Sequence, residues 1–263
     1  MNEKVWAKKS LGQHWLHDEL TLEAMAMGVD AGDGDVVLEV GPGLGTLTKQ
    51  LIDRGCKVIA VEFDEKLARE LPRRVPADTL QVIHQDILSF DLSQLPQGYK
   101  FAANIPYYLT SKLLRMLCES PTHFSKATLL VQKEVAERVC AAPGDMSLLS
   151  VSVQFYCQAT LGDFVPKELF TPPPKVDSQI LLLEYRNKPL FDVDEKAFFR
   201  LVKAGFHERR KKLRSSLSGG LHITKPEAEE LLVKAGIDPN LRPQHLTLEN
   251  WHSLYAAHHA NPA

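Results

Sequence analysis

An α/β fold with a parallel sheet, followed by a small all-helical region, is what this sequence predicts. Short apolar runs alternate with helical patterns through the first two-thirds of the chain, as in sheets covered by helices on both faces. A glycine-rich turn joins the first apolar run to the first helical one. Past Tyr185 the strand-like runs stop and only helical stretches remain.

Val36-Val37-Leu38-Glu39-Val40 reads as the first strand, with a helix from about Thr46 to Arg54 after the turn. Lys57–Glu62 is a second strand, followed by a helix from about Asp64 to Arg73. Leu80–His84 is a third strand. Lys100–Asn104 is a fourth, leading into a helix from about Thr110 to Cys118. Ala127–Val131 is a fifth, and Ile180–Glu184 a further one, expected to pair with the Gln154–Phe164 region. Asn187-Lys188-Pro189 reads as a linker, so the expected division is a domain at 1–187 and a helical domain at 188–263. Helices are predicted near Glu195–Ala204, Arg209–Leu217, Lys225–Ala235 and Leu248–Ala257. Thr224-Lys225-Pro226-Glu227 starts a helix well, with a capping hydroxyl, then proline and acid in the first turn, and Gly236 stops it.

The 263 residues fit one large domain, or a domain with an appendage. With 44% hydrophobic and 24% charged residues the chain has the composition of a soluble globular protein, which excludes a disordered or collagenous one. No apolar run approaches the roughly 18 residues of a membrane helix, and no apolar core follows the basic residues of Met1–Ser10, so neither a membrane protein nor an export signal is expected. Cys56, Cys118, Cys140 and Cys157 show no metal-ligand spacing and read as free thiols of a reducing cytosol. No metal site is expected, and His258-His259 read as a tail.

Net charge is −2, which argues against a uniformly basic nucleic-acid binder. The charge is uneven: Met1–Ser178 carries a net −5 and Gln179–Ala263 a net +3. Between Arg200 and Arg214 seven basic residues face only Glu208. Such a strip can bind phosphate on a protein that is not basic overall, although a basic run is also an ordinary solvated helix face.

Glu39-Val40-Gly41-Pro42-Gly43-Leu44-Gly45 closes the first strand. Glycines there permit a tight turn and close approach to a ligand, Gly41 and Gly43 above all. Seventeen residues after Gly45, Glu62 ends the second strand, where a carboxylate can accept from both ribose hydroxyls of a nucleoside. The loop is Gly-x-Gly-x-Gly, which suits a dinucleotide poorly, and no P-loop lysine follows. After the third strand Asp86 is placed to accept from an adenine amine, or simply to cap the loop. Phe63 and Ile87 are placed to sandwich the ring. The combination suits S-adenosylmethionine better than a nicotinamide dinucleotide.

Asn104-Ile105-Pro106-Tyr107 ends the fourth strand. The tetrapeptide resembles the motif of methyltransferases acting on exocyclic amines of bases, in the form found in the ribosomal RNA adenine dimethyltransferases. The chemistry accounts for the residue types. The Asn104 side-chain oxygen and the Ile105 carbonyl can accept both N–H bonds of an adenine amine, favouring a pyramidal nitrogen as positive charge develops. Pro106 stiffens the turn, and Tyr107 supplies a face for an extruded base.

Other stretches extend the resemblance over residues 8–255. Lys9-Ser10-Leu11-Gly12-Gln13-His14-Trp15-Leu16 is similar to the family's segment over the cofactor, with His14-Trp15 in place of Asn-Phe. Gln132-Lys133-Glu134-Val135 matches the segment after the fifth strand. Phe170-Thr171-Pro172-Pro173-Pro174-Lys175-Val176-Asp177-Ser178 matches closely, and the family assigns Phe170 to holding the base. Arg209-Arg210-Lys211-Lys212-Leu213-Arg214 is similar to the family's basic run. Asp145-Met146-Ser147-Leu148-Leu149 departs from a common Tyr-Gly-Arg-Leu-Ser, so an RNA-contacting arginine is missing there.

The resemblance implies a Rossmann-like S-adenosylmethionine-dependent methyltransferase with a helical RNA-binding C-terminal domain. It would dimethylate N6 of two adjacent adenosines in small-subunit (16S) ribosomal RNA during ribosome biogenesis; apart from the resemblance, a cytoplasmic monomer is expected. His14, Leu16, Gly41, Gly43, Glu62, Phe63, Asp86, Ile87 and Asn104 would line the cofactor site. Asn104, Pro106, Tyr107 and Phe170 would handle the base, and Arg209, Arg210, Lys211, Lys212 and Arg214 the RNA. The rivals are a large-subunit dimethylase conferring antibiotic resistance and a non-enzymatic nucleic-acid-binding relative of the fold, besides a small-molecule methyltransferase, which the basic helical appendage disfavours. The triple proline and the basic run disfavour the first, and Glu62, Asp86 and Asn104–Tyr107 the second.

Overall fold

The structure, a computed structural model, describes residues 8, 11–208 and 210–259. They form two compact units. Described residues up to Glu137, with Cys157–Arg186, make an α/β unit; Arg138–Tyr156 and the described residues from Asn187 onward make a helical one.

The α/β unit is built on nine strands: β1 (Trp15–Leu16), β2 (Val36–Val40), β3 (Lys57–Glu62), β4 (Leu80–His84), β5 (Tyr99–Asn104), β6 (Phe124–Gln132), β7 (Cys157–Val165), β8 (Phe170–Thr171) and β9 (Ser178–Tyr185). Seven form one sheet in the order β4-β3-β2-β5-β6-β9-β7. The first five run parallel, as the alternation predicts. The last two are antiparallel additions, so the sheet is mixed rather than parallel throughout. The central strands read Val-Val-Leu-Glu-Val and Lys-Val-Ile-Ala-Val-Glu because both faces are covered, which removes any polar alternation. The helices are α1 (Glu19–Gly28), α2 (Thr46–Asp53), α3 (Glu65–Arg74) and α4 (Thr110–Glu119), with α5 (Lys133–Val139) spanning the boundary at Glu137. One face of the sheet packs Val37, Val58 and Ala102 against Leu22 and Met25 of α1 and Leu51 of α2. Asp64 starts α3 by accepting from the Lys66 and Leu67 amides.

The helical unit holds α6 (Leu148–Tyr156), α7 (Glu195–Gly205), α8 (Leu213–Leu221), α9 (Lys225–Lys234) and α10 (Leu248–His259). Thr224 and Glu227 form a reciprocal capping box on α9, and Gly236 follows it at φ 72°.

Three expectations need correction. The boundary at 187/188 leaves out 138–156, which belongs with the helical unit. Residues 154–156, expected to be part of a strand, end α6, and the strand beside β9 begins at Cys157. The reason is aromatic packing: Phe155 lies 5.0 Å from Phe198, and Tyr156 donates to Glu195. Finally, the helix expected from Arg209 begins at Leu213, with Lys212 as its N-cap.

Candidate active site

The site sits where the topology reverses. From β2 the chain builds outward through β3 to β4 on one side, and β5 lies on the other. The carboxyl ends of strands flanking such a switch point leave a crevice. A cavity of about 310 Å³ occupies it, lined by loops after β2, β3, β4 and β5 and roofed by residues 11–16 with Phe170.

The glycine loop shapes one wall. Gly41, at φ 67°, brings its bare Cα toward the Asn104 carbonyl, where a Cβ would lie 3.6 Å away. Gly43 is tighter: at φ 57° an added Cβ would stand 2.6 Å from the Trp15 ring. At Gly41 the positive φ alone favours glycine, whereas at Gly43 the positive φ and the ring together exclude a side chain.

Glu62 is 5% exposed at the end of β3. Its Oε2 accepts from the Gly43 amide at 3.1 Å and its Oε1 from the Asp64 amide at 2.8 Å. The carboxylate is thereby held in place, and each oxygen keeps a lone pair for a ligand hydroxyl. Burial raises its pKa, while the Asp64 and Gly43 amides oppose the rise.

Asn104 ends β5 in register with Leu130 of β6. Beyond it Pro106 precedes a 3₁₀ turn at Tyr107–Leu109 that runs directly into α4. The Tyr107 hydroxyl hydrogen-bonds Ser178 Oγ at 2.7 Å, which fixes the ring. His14 stacks on it at 6.3 Å and donates from Nδ1 to the Pro172 carbonyl at 2.7 Å. His14 is therefore a strut between Tyr107 and the proline segment. β1 pairs with β8 through Leu16 and Phe170, which brings the roof down beside both.

The cavity thus gathers His14, Leu16, Gly41, Gly43, Glu62, Phe63, Asp86 and Ile87 with Asn104, Pro106, Tyr107 and Phe170. Two of these are also tied to the fold, Asp86 in the loop-cap role that the sequence allows for it. Asp86 Oδ1 accepts from the Leu88 amide and caps a short turn, so one of its oxygens is used by the fold. Phe170 is 3% exposed and acts as wall, with its place fixed by core packing. The basic residues belong to the helical unit. Arg210 and Lys211 are exposed ahead of α8. Lys212 Nζ donates to Asn240 Oδ1, and Arg214 pairs with Glu229 at 3.2 Å. Arg209 lies outside the described residues.

Several cavity residues are not marked by the sequence, Glu39, Tyr108 and Lys112 among them. In the sequence Glu39 stands out only as part of the glycine motif. Its carboxyl is 1% exposed in β2, and burial pushes its pKa up to about 8, with Glu62 adding to the rise and Thr48 opposing it. Glu39 Oε2 has no well-aligned hydrogen-bond partner among the described residues. The available signal was an acid inside an apolar strand. Tyr108 and Lys112 also line the cavity; their signal was position, directly after the Asn104–Tyr107 motif.

These residues fit a nucleoside ligand carrying positive charge. Glu62 is set for hydroxyls, and the buried Glu39 carboxyl in the cavity wall can meet a cationic group by giving up its proton.

Residues 5–259 match the family model described as ribosomal RNA adenine dimethylase. The ribosomal RNA small subunit methyltransferase A of Dehalococcoides mccartyi is 41% identical, over 97% of this chain and 90% of its own length. The protein of that name from Acinetobacter baylyi is 40% identical, over 94% and 91%. Among solved structures, a dimethyladenosine transferase from Plasmodium falciparum aligns with TM-score 0.79 and 25% identity, over 92% of this chain and 96% of that one. The 23S rRNA methyltransferase ErmE aligns with TM-score 0.76 and 28% identity, over 92% and 98%.

Proposed function

The chain belongs to the ribosomal RNA adenine dimethylase family, and on that premise we propose that it dimethylates N6 of two adjacent adenosines in small-subunit ribosomal RNA, with S-adenosylmethionine as methyl donor. The observation that carries this reading is that one cavity is lined by both the Gly41–Gly43 and Glu62 groups and by Asn104–Tyr107. A nucleoside-holding wall and an amine-holding wall share the space. No helix of the described residues is long and apolar enough to cross a membrane, and the protein acts as a cytoplasmic monomer on its RNA.

Glu62 holds the ribose of the cofactor through its free lone pairs. Phe63, Ile87 and Asp86 take its adenine, while Gly41, Gly43, His14 and Leu16 shape the space around it. When bound, the cofactor supplies an electrophilic methyl on a sulfonium sulfur. The Asn104 side-chain oxygen and the Ile105 carbonyl accept the two N–H bonds of the target amine. Tyr107, locked by Ser178 and His14, presents its ring to the base, and Phe170 backs the opposite wall. These residues work by positioning, which suits an in-line displacement that needs alignment more than a strong base. The basic strip at Arg209, Arg210, Lys211, Lys212 and Arg214 contributes phosphate contacts, most directly through Arg210 and Lys211, whose side chains are exposed.

The test is transfer of labelled methyl to unmethylated small and large ribosomal subunits side by side. Label in the small subunit alone is expected. Label in the large subunit alone would assign the protein to the other substrate.

A further inference from the structure

We propose that Tyr108 and Lys112 form a second nucleotide subsite at the cavity mouth: the base beside the target adenine stacks on Tyr108, and the adjoining phosphate pairs with Lys112. The inference rests on the reading that the cavity receives an adenine of RNA.

Tyr108 is 69% exposed, although a large aromatic ring is normally drawn into a core. It lines the same cavity as Asn104 and follows Tyr107 directly. Its neighbour Tyr107 is tied down through its hydroxyl, whereas Tyr108 makes no hydrogen bond or ring contact among the described residues. One edge of the Tyr108 ring rests by Gly12, where a Cβ would lie 3.8 Å from Cε1. The backbone there buttresses the ring and leaves the rest of it open.

Lys112 is exposed and also lines the cavity. Lys8, Lys49 and Lys126 are each bound to a carboxylate, but Lys112 has no ion pair among the described residues. It lies four residues after Tyr108, in the first turn of α4, which continues the 3₁₀ turn holding Tyr108. That spacing puts the two side chains on neighbouring positions of one helical face. A π-surface and a cation side by side match a base and its phosphate.

The reaction supplies the need. Drawing one adenosine into the cavity unstacks the adenosine next to it. That neighbour is itself a substrate, and a platform at the mouth would hold it while the first is methylated.

The test uses the full chain, a single-stranded oligoribonucleotide with adenosine followed by 2-aminopurine, and unmethylated small subunits. Tyr108→Ala should weaken oligonucleotide binding about tenfold and relieve the quenching of 2-aminopurine, and Tyr108→Phe should restore both. Lys112→Gln should lower the slope of log affinity against log salt by about 0.7. On small subunits Tyr108→Ala should raise KM and leave molecules with only one of the two adenosines dimethylated, while cofactor affinity stays unchanged. Unchanged oligonucleotide affinity and quenching in Tyr108→Ala would overturn the subsite, as would a Tyr108→Phe variant as defective as alanine. If the wild-type protein methylates no small subunit yet the binding losses appear, the subsite stands and the assigned substrate falls.

Discussion

Replacing Glu39 by glutamine should stabilise the protein and weaken its hold on the cofactor. In the unfolded chain this carboxyl titrates at the ordinary glutamate value of 4.5, whereas in the folded protein burial holds it at about 8. At neutral pH folding therefore takes up a proton. Each unit of separation is worth about 1.4 kcal/mol, so keeping Glu39 protonated at pH 7 costs on the order of 3 kcal/mol. A raised carboxyl pKa means that the folded state binds more protons. The penalty is thus absent below about pH 4.5, grows as pH rises, and levels off above about pH 8. Glutamine has nearly the same size and does not ionise, so the term vanishes in the variant. Its buried amide adds a pH-independent offset of about 1–3 kcal/mol where it finds no acceptor, which makes the pH dependence the diagnostic quantity. Urea denaturation of both proteins should show the stability difference moving in the variant's favour by about 3 kcal/mol between roughly pH 5 and pH 8. A difference that stays constant over that range would refute the reasoning, because Glu39 would then titrate as an exposed acid. Calorimetric titration should show weaker cofactor binding by the variant, since Glu39 can give up its proton to meet the cationic group and glutamine cannot.

Gly43→Ala should lower both stability and cofactor affinity: a positive φ costs about 1–2 kcal/mol for an L residue, and the new methyl meets the Trp15 ring. A thermal melt indistinguishable from wild type would show that the loop yields freely. Asn104→Ala should abolish methyl transfer with little change in melting temperature, and appreciable turnover would remove the amine-positioning role. Alanine at Arg210, Lys211 and Lys212 together should flatten the salt dependence of RNA binding by up to about 2 in slope. Arg214→Ala should act mainly on stability, by about 1 kcal/mol or less, through the partly exposed pair with Glu229. An unchanged salt slope in the triple variant would mean that the strip serves only as a solvated face.

The five parallel strands were legible because each is an apolar run bounded by clear turn residues. The glycine loop, Glu62 and Asn104–Tyr107 were legible because their chemistry is local in sequence. What escaped notice was non-local. β1 and β8 are two residues each, too short for any period, and exist only because Leu16 meets Phe170 across the roof. The strand after α6 begins three residues later than the pattern suggests, because the apolar run through Val153, Phe155 and Cys157 serves a helix and then a strand without a break. Nothing local to 138–156 shows that Phe155 packs on Phe198 rather than in the sheet unit. Asp86 and Phe170 both line the cavity; the Asp86 cap was legible as one of its two readings, whereas the core contact of Phe170 depends on partners that spacing does not reveal. Glu39 was visible all along as an acid in an apolar strand, and only its burial beside Glu62 gives it meaning.

The central claim is that Asn104 and its loop present the exocyclic amine of adenine to the methyl donor. Digesting small subunits treated with the protein, and identifying the modified nucleosides by mass spectrometry, tests this most directly. The expected product is N6,N6-dimethyladenosine at two adjacent positions, and none with Asn104→Ala. Methyl groups on a ring nitrogen, a ribose hydroxyl or another base would contradict the claim.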